Sequence, residues 1–355
     1  MNITFVCPEL SPAGGVRVIA IFAKNLKKRG HSVSIVHWPK GRRSLPSIVK
    51  TLAKKRRLPP PYREGSYFND SGLTMIPLES RRAVKDSDVP DADLVVATWW
   101  ETAAPVAALS ASKGSKVYFM QDYGAAGQEF PKLVPTWHMP FFFITIAQWL
   151  KDAILRENPA ASVSVVTNAV DAVKFDAPPR SKQAVPTVGF IHREMHSKGC
   201  DIAVSAILAA KTKVPALAVH VVGVDSRPDY LPSFVQYHES VDDAGLSKIY
   251  ASCDAWIFSS RSEGYGLPIT EAMACRTPVI GTRAGAAPEL IPGAGILLDT
   301  FEPSEMADAI VNIAEMPAEA WQDLSARARE SVAGYSWEDA TDRFEQALTS
   351  AAGRV

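Results

Sequence analysis

The chain has 355 residues, of which 47% are hydrophobic and 21% charged, and its formal net charge at pH 7 is zero. This length exceeds one typical domain and predicts two domains of about 150 to 180 residues each. The composition is ordinary for a globular protein with buried cores, and a neutral chain gives no reason to expect a nucleic-acid partner. No apolar run approaches the roughly 18 to 20 residues of a membrane span, so an integral membrane protein is not expected.

The cysteines and the first residues predict a cytoplasmic protein. The four cysteines form no CxxC pair and lie in or beside apolar runs at Cys7, Cys200, Cys253 and Cys275. We therefore expect buried, reduced thiols and neither a disulfide nor a zinc site. The opening MNITFVCPEL has no basic region and no cleavage site of a secretion signal, and it predicts a first β-strand.

The amino-terminal segment has the pattern of a doubly wound α/β domain. A strand at residues 3–7 is followed by the loop PELSPAGG, the helical pattern VRVIAIFAKNLKKRG and the strand HSVSIVHW. Gly14 and Gly15 stand where backbone amides could meet a phosphate, although a purely structural turn is an equal alternative. The loop is not GxGxxG, and no acidic residue follows at the distance expected for a nicotinamide ribose. A dehydrogenase is therefore disfavoured.

Residues 40–57 contain eight basic residues and no acidic one, interleaved with apolar residues at helical spacing. A basic amphipathic stretch can lie on an anionic membrane surface, here at the inner face of the cell membrane. A solvated helix is an equally weighted alternative.

Two Asp-x-Asp tripeptides, at residues 86–88 and 91–93, precede the strand pattern LVVATWW. Ligands of open α/β sheets bind beyond the carboxyl ends of the strands, so these carboxylates lie at the wrong edge and we expect no metal there. The strand pattern KVYFMQ, by contrast, brings Gln121 and Asp122 to a carboxyl end. Both are candidate ligand contacts, with a turn carboxylate as the simpler reading of Asp122.

The second half begins after residues 173–186, whose prolines and lack of apolar periodicity predict a linker. The strand pattern TVGFI and the helical pattern CDIAVSAILAAK then flank a loop that holds Arg193 and Lys198. Two cations before a helix amino terminus oppose the helix dipole unless an anion lies between them. Arginine grips phosphate oxygens as a fork and lysine adds a point charge, so the pair predicts a phosphate site. The alternative is a solvated basic loop.

The most informative stretch is SSRSEGYGLPITEAMAC, which places Glu263 and Glu271 on either side of seven residues. The glycines allow a close backbone approach, and Pro268 suits the first turn of a helix, whose amino terminus attracts an anion such as a diphosphate. The two carboxylates would then face neutral hydroxyls of a sugar or ribose. A capping role for Glu271 fits poorly, because it falls four or five residues after the cap instead of three.

These motifs resemble retaining glycosyltransferases of family four, with their Glu-x7-Glu segment and their paired Arg and Lys. The segment PAGGVRVIAIFAKNLKKRGHSVSIV and the stretch Asn168–Asp171 are also similar to that family, and YFMQDY looks like bacterial rhamnosyltransferases. The resemblance implies an α/β protein of two Rossmann-like doubly wound domains facing a cleft, the GT-B arrangement. It assigns residues 1–172 with 336–355 to an acceptor-side domain and residues 187–335 to a nucleotide-sugar domain.

The resemblance also implies the roles of the site residues. Glu271 would hold the ribose diol and Glu263 a sugar hydroxyl, while Arg193 and Lys198 would stabilise the departing diphosphate, as a metal does elsewhere. No cofactor and no metal are then expected. Gln121 stands where many family members have a histidine, which is a departure from the pattern. The remaining predicted donor contacts are Gly14, Gly15, Asp122, Gly264, Tyr265, Gly266 and Leu267.

The predicted function is therefore transfer of a hexose or deoxyhexose from a nucleoside diphosphate-sugar to a hydroxyl acceptor. The acceptor would be a glycan or lipid-linked glycan, as in bacterial cell-surface polysaccharide synthesis. Two alternatives stay open, a nucleotide-sugar epimerase of similar fold and a non-catalytic nucleotide-sugar sensor. An epimerase would need an acid/base carboxylate at the sugar ring, and a sensor would bind the donor without turnover.

Overall fold

Two parallel β-sheets flanked by helices make up the protein. The computed structural model describes residues 1–11, 13–39, 66–69, 71–122 and 130–353. The basic stretch at residues 40–57 lies outside the described residues, so its contact with a membrane stays a prediction. Within the described part of the chain, no helix is both long and apolar enough to cross a bilayer.

The first sheet has seven strands among the described residues, all paired in parallel, in the order β3-β2-β1-β4-β5-β6-β7. The strands are β1 (Asn2–Cys7), β2 (Ser32–His37), β3 (Thr74–Pro77), β4 (Leu94–Ala97), β5 (Ser115–Met120), β6 (Phe142–Thr145) and β7 (Ser162–Val165). The helices of this half are α1 (Gly14–Lys28), α2 (Trp100–Ala107), α3 (Phe130–Leu133) and α4 (Gln148–Glu157). Strands β4 and β6 are buried along their whole length, as expected where helices cover both faces of a parallel sheet.

The second sheet has six described strands, again all parallel, in the order β10-β9-β8-β11-β12-β13. They are β8 (Thr187–His192), β9 (Ala218–Gly223), β10 (Gln236–Glu239), β11 (Ala255–Phe258), β12 (Val279–Gly281) and β13 (Gly295–Leu297). The helices are α5 (Cys200–Lys213), α6 (Asp243–Ala251), α7 (Leu267–Ala274), α8 (Ala287–Leu290), α9 (Pro303–Glu315) and α10 (Ala318–Val332).

The strand order places a topological switch point in each sheet. Strand β1 lies between β2 and β4, and β8 lies between β9 and β11, so the chain reverses its direction of winding beside each first strand. Ligands of doubly wound sheets bind in the crevice beyond the carboxyl ends at such points. The loop after β1 leads to Gly14 and Gly15, which are the first residues of α1 and not loop residues as predicted, and the loop after β8 holds Arg193 and Lys198.

The last helix, α11 (Trp337–Ala352), returns to the first sheet. Ser336 caps it by accepting a hydrogen bond from the Asp339 amide at 3.2 Å. Phe344 stacks on Phe22 of α1 with ring centroids 4.3 Å apart, and Arg29 pairs with Glu345 at 2.8 Å. The domain boundaries drawn from the sequence stay predictions.

Several local predictions are confirmed by these elements. All four cysteines are free and buried. Helix α7 has Gly266 as its cap, with a left-handed φ of 94°, and Pro268 lies in its first turn. The edge strands β3, β10 and β13 were not foreseen, because each has only three or four residues and no more than partial burial.

Candidate functional site

Lys198 of the predicted basic pair and Glu263, the first glutamate of the motif, meet at the carboxyl edge of the second sheet. The Lys198 ammonium contacts a carboxylate oxygen of Glu263, and the Ser260 hydroxyl donates to the same oxygen at 3.4 Å. Lys198 and Glu263 retain 29% and 21% side-chain exposure, so solvent and ligands can still reach both groups. The contact joins the loop after β8 to the loop after β11.

A glycine allows these two loops to lie against each other. Gly199 has a φ of +60°, and a Cβ built on it would lie 1.9 Å from the Ser259 carbonyl oxygen, so a larger residue does not fit. The Ser259 hydroxyl donates to the Lys198 carbonyl at 3.0 Å, and the Arg261 amide donates to the Ser197 carbonyl at 2.7 Å. The position of Lys198 beside Glu263 is therefore set by backbone contacts as well as by charge.

Arg193 lies at the start of the same loop, directly after β8. Its amide donates to the Cys200 sulfur at 3.4 Å, and that thiol in turn donates to the Arg193 carbonyl at 3.3 Å. Within the described ranges, its guanidinium has no hydrogen-bond or ion-pair partner. A partly buried cation with unused donors, close in sequence to Lys198, suits an anionic ligand. Cys200, which closes this loop, was read from the sequence only as a buried thiol.

Glu271, the second glutamate of the motif, is buried on α7 with 6% exposure. Its Oε1 accepts from Arg17 Nη1 at 3.3 Å, and its Oε2 accepts from the Tyr250 hydroxyl at 3.2 Å. Burial raises the pKa of the Glu271 carboxyl, whereas the Arg17 cation and the Tyr250 hydroxyl act in the opposite direction. A carboxylate has about four acceptor positions, so both contacts leave capacity for further donors.

Arg17 was missed by sequence reasoning. It lies in the first turn of α1, in the half of the chain that carries Gly14 and Gly15, and yet it pairs with the other half. The signal that could have identified it is its place at a helix amino terminus, where the dipole disfavours a cation without an acidic partner. No acidic residue occurs in that first turn of α1.

The amino terminus of α1 and the motif loop approach each other at Gln121, the residue after β5. Gln121 Nε2 donates to the Gly15 carbonyl at 3.2 Å, and its buried Oε1 has no hydrogen-bond partner among the residues that the structure describes. From the other half, a Cβ on Gly264 would lie 2.0 Å from the Gln121 carbonyl oxygen. Gln121 and Asp122 thus lie at a carboxyl end, as predicted, and Gln121 touches both α1 and the motif loop. Contact of either residue with a sugar stays a prediction.

A second set of contacts holds the motif loop against the first half of the chain. Trp149 Nε1 donates to the Gly264 carbonyl at 3.0 Å, and the Tyr265 hydroxyl donates to the Asn168 carbonyl at 2.7 Å. The Glu289 carboxylate accepts from the amides of Gln148 and Trp149 at 3.0 and 2.8 Å, at the start of α4. Helix α4 has no capping side chain of its own, so Glu289 takes that role. The lack of a capping residue before α4 is what the sequence offers as an indication of it.

The predicted position of the second Asp-x-Asp tripeptide at the beginning of a strand is confirmed. Asp93 immediately precedes β4 and accepts from the Asn2 amide at 2.7 Å, and Asp91 pairs with Lys113 at 2.8 Å. Among the residues that the structure covers, no three His, Cys, Asp or Glu side chains are grouped as metal ligands. The second tripeptide therefore serves contacts at the amino edge of the first sheet, and metal independence stays a prediction.

Solved structures share this arrangement of two sheets. HepE of Anabaena, solved in complex with UDP, aligns with a TM-score of 0.75 and 18% identity over 99% of this chain and 100% of that chain. A glycosyltransferase from Rickettsia africae aligns with a TM-score of 0.73 and 18% identity over 100% of this chain and 99% of that chain. The predicted fold class, two Rossmann-like α/β units of the GT-B type, is confirmed.

The second half of the chain also resembles known proteins in sequence. Residues 185–316, which hold Arg193, Lys198, Glu263 and Glu271, match the family model described as "Glycosyl transferases group 1". The O-antigen chain mannosyltransferase B of Escherichia coli is 29% identical over 109 residues, which are 30% of this chain and 28% of that protein. The chain is thus similar to group 1 glycosyltransferases in its second half, and the matched stretch spans little more than a quarter of that relative.

Proposed function

We propose that the protein is a retaining glycosyltransferase that moves a sugar from a nucleoside diphosphate-sugar to a hydroxyl acceptor. The observation that carries the proposal is the contact of Lys198 with Glu263 at the carboxyl edge of the second sheet, in the loop that also holds Arg193, with Glu271 on the helix that follows the Glu263 loop. The UDP bound by HepE, which shares the fold, supports a nucleoside diphosphate as the ligand class. The acceptor we propose is a glycan or a lipid-linked glycan.

The donor would be bound mostly by the second half of the chain. Glu271 accepts hydrogen bonds from the ribose diol, next to the amino terminus of α7. The diphosphate lies between the Arg193 guanidinium, whose donors are unused among the described residues, and the Lys198 ammonium. Lys198 now contacts Glu263, and an arriving diphosphate would compete for this cation and free Glu263 to accept a sugar hydroxyl.

The reaction breaks the bond between the sugar C1 and the diphosphate oxygen, and its electron pair leaves with the diphosphate. The acceptor hydroxyl attacks C1 on the same face, and its proton passes to the departing phosphate oxygen, so no enzyme nucleophile is required. Negative charge grows on the leaving group in the transition state, and preorganised cations stabilise it without reorganising. Arg193 and Lys198 supply these cations, and we propose that no metal is needed.

Nucleotide release from a panel of uridine, thymidine and guanosine diphosphate sugars tests the proposal. Release of diphosphate by transfer or slow hydrolysis supports a transferase, an interconverted sugar indicates an epimerase, and binding without turnover indicates a sensor. Turnover that survives a chelator supports metal independence. The comparison of hexose with deoxyhexose donors decides between the two sugar classes.

Removal of one cation should lower turnover on the order of 10²- to 10³-fold. Arg193→Ala and Lys198→Ala are the test variants. Lys213→Ala is the matched control, since Lys213 also pairs with a carboxylate, Asp308 at 2.7 Å, but at the far end of α5. Unchanged turnover in both test variants would exclude the assigned role of the pair.

A further inference from the structure

Arg17 reaches from the first half of the chain into the proposed donor site. Its guanidinium lies 3.3 Å from Glu271 on α7 and 3.5 Å from Asp243 at the start of α6. The Arg17 side chain is 20% exposed and that of Glu271 only 8%. The charge of Glu271, which we assign to the donor ribose, is therefore balanced by Arg17, a residue of the opposite half of the chain.

The groups around Glu271 are few and can be named. Helix α6 contributes the Asp243 carboxylate and the Tyr250 hydroxyl, and the thiol of Cys275 lies at the end of α7. Lys174, from the segment before β8, lies 3.4 Å from Asp243 and does not contact Glu271. Among the described residues, Arg17 is thus the cation in direct contact with Glu271, and Asp243 is the neighbouring like charge.

Charge explains why this site needs a cation. Burial disfavours the ionised form of Glu271 and raises its pKa, the nearby Asp243 charge acts in the same direction, and Arg17 opposes both. A protonated carboxyl would lose acceptor capacity for a ribose diol and gain a donor that the diol does not need. A cation near the amino terminus of α1 is disfavoured by the helix dipole, so Arg17 is better explained by its carboxylate partners than by its own helix.

We propose that Arg17 is a positioning residue of the donor site, which keeps Glu271 ionised and directed at the nucleotide ribose. The inference rests on the proposed function. It makes donor affinity a property of both halves of the chain, although the remaining donor contacts lie mostly in the second half.

The test is the affinity for uridine diphosphate, or for whichever nucleotide the panel selects, measured by calorimetry from pH 5.5 to pH 9. Arg17→Gln should weaken binding near neutral pH on the order of tenfold to a hundredfold, the range for loss of a hydrogen bond to a charged group. The loss should shrink as pH rises, because the raised pKa of Glu271 leaves the carboxyl protonated at low pH and ionised at high pH. A purely structural role would weaken binding by the same factor at every pH.

Asp243→Asn should shift the pH dependence of nucleotide binding in the opposite direction. Removal of the neighbouring like charge should extend donor binding to lower pH. If Arg17→Gln does not fold, this variant alone tests the proposal. On a Glu271→Gln background, Arg17→Gln should have little further effect, because no ionisable carboxyl remains. Arg327→Gln, which removes an exposed arginine that donates to the Gly293 carbonyl, is the control for loss of a cation.

The outcomes separate the two proposals. An unmodified chain that binds no nucleoside diphosphate or its sugars overturns the proposed function. An unmodified chain that binds, with the same pH profile in Arg17→Gln and Asp243→Asn, overturns the role of Arg17 and leaves the proposed function standing.

Discussion

Substitution of Gly264 by alanine should disable the site, because the added methyl group has no room. A Cβ at this position would lie 2.0 Å from the Gln121 carbonyl oxygen and 3.5 Å from the Asp122 Cα. Real Cβ atoms essentially never approach within 3.0 Å of another atom, so the motif loop would have to retreat by about 1 Å. Gln121 cannot retreat instead, since it follows the buried end of β5.

Movement of the motif loop would disturb two features of the site. Retreat would stretch the hydrogen bond from Trp149 Nε1 to the Gly264 carbonyl, now 3.0 Å, and displace Glu263 next to it. A misplacement of about 1 Å in a binding site can cost on the order of 10² in rate. We therefore expect kcat/KM to fall about 10²-fold and the free energy of unfolding to fall by about 1–3 kcal/mol, the usual cost of overpacking.

Steady-state nucleotide release and thermal unfolding measure the two effects. Gly353→Ala is the control, because the nearest atom to its Cβ would be the Thr349 carbonyl oxygen at an ordinary 3.8 Å and its φ is −76°. A Gly264→Ala protein with the parent's kcat/KM would show that the close approach to Gln121 is not required for activity.

Two further predictions concern the contacts that hold the site loops. Trp149→Phe keeps an aromatic ring but loses the indole N–H that donates to Gly264, so kcat/KM should fall about 5- to 10-fold, measured by nucleotide release, with little change in the unfolding temperature. An unchanged kcat/KM would exclude a role for this bond. Gly199→Ala combines a left-handed φ with a Cβ 1.9 Å from the Ser259 carbonyl oxygen, and should cost about 2–4 kcal/mol in urea unfolding. Gly293→Ala, at φ +81° with nothing within 4 Å of its Cβ, should cost only about 1 kcal/mol, and equal costs for the two would contradict the steric reasoning.

Features formed by residues close together in the sequence were predictable, because the apolar periodicity and the turn residues of a short segment indicate its local structure. The alternation of apolar strands and amphipathic helices identified two doubly wound units, and these placed Arg193, Lys198 and Gln121 at carboxyl ends of strands. The start of α7 follows from Gly266 and from Pro268 in the first turn of the helix. The short edge strands were not predicted, because three or four residues show no reliable alternation of apolar and polar side chains.

The contacts between the halves were decided by the tertiary structure. Arg17 and Glu271 are 254 residues apart, and Trp149 and Gly264 are 115 apart, so no periodicity connects them. They meet only because two independently wound sheets place their switch-point loops face to face, with glycine at Gly264 where the backbones come close. The sequence by itself determined that Arg193, Lys198 and Glu263 lie between a strand and the next helix, at the carboxyl edge of the second sheet. Packing decided that Arg17 would neutralise the buried Glu271, because a buried carboxylate is stable only where a cation or donor reaches it.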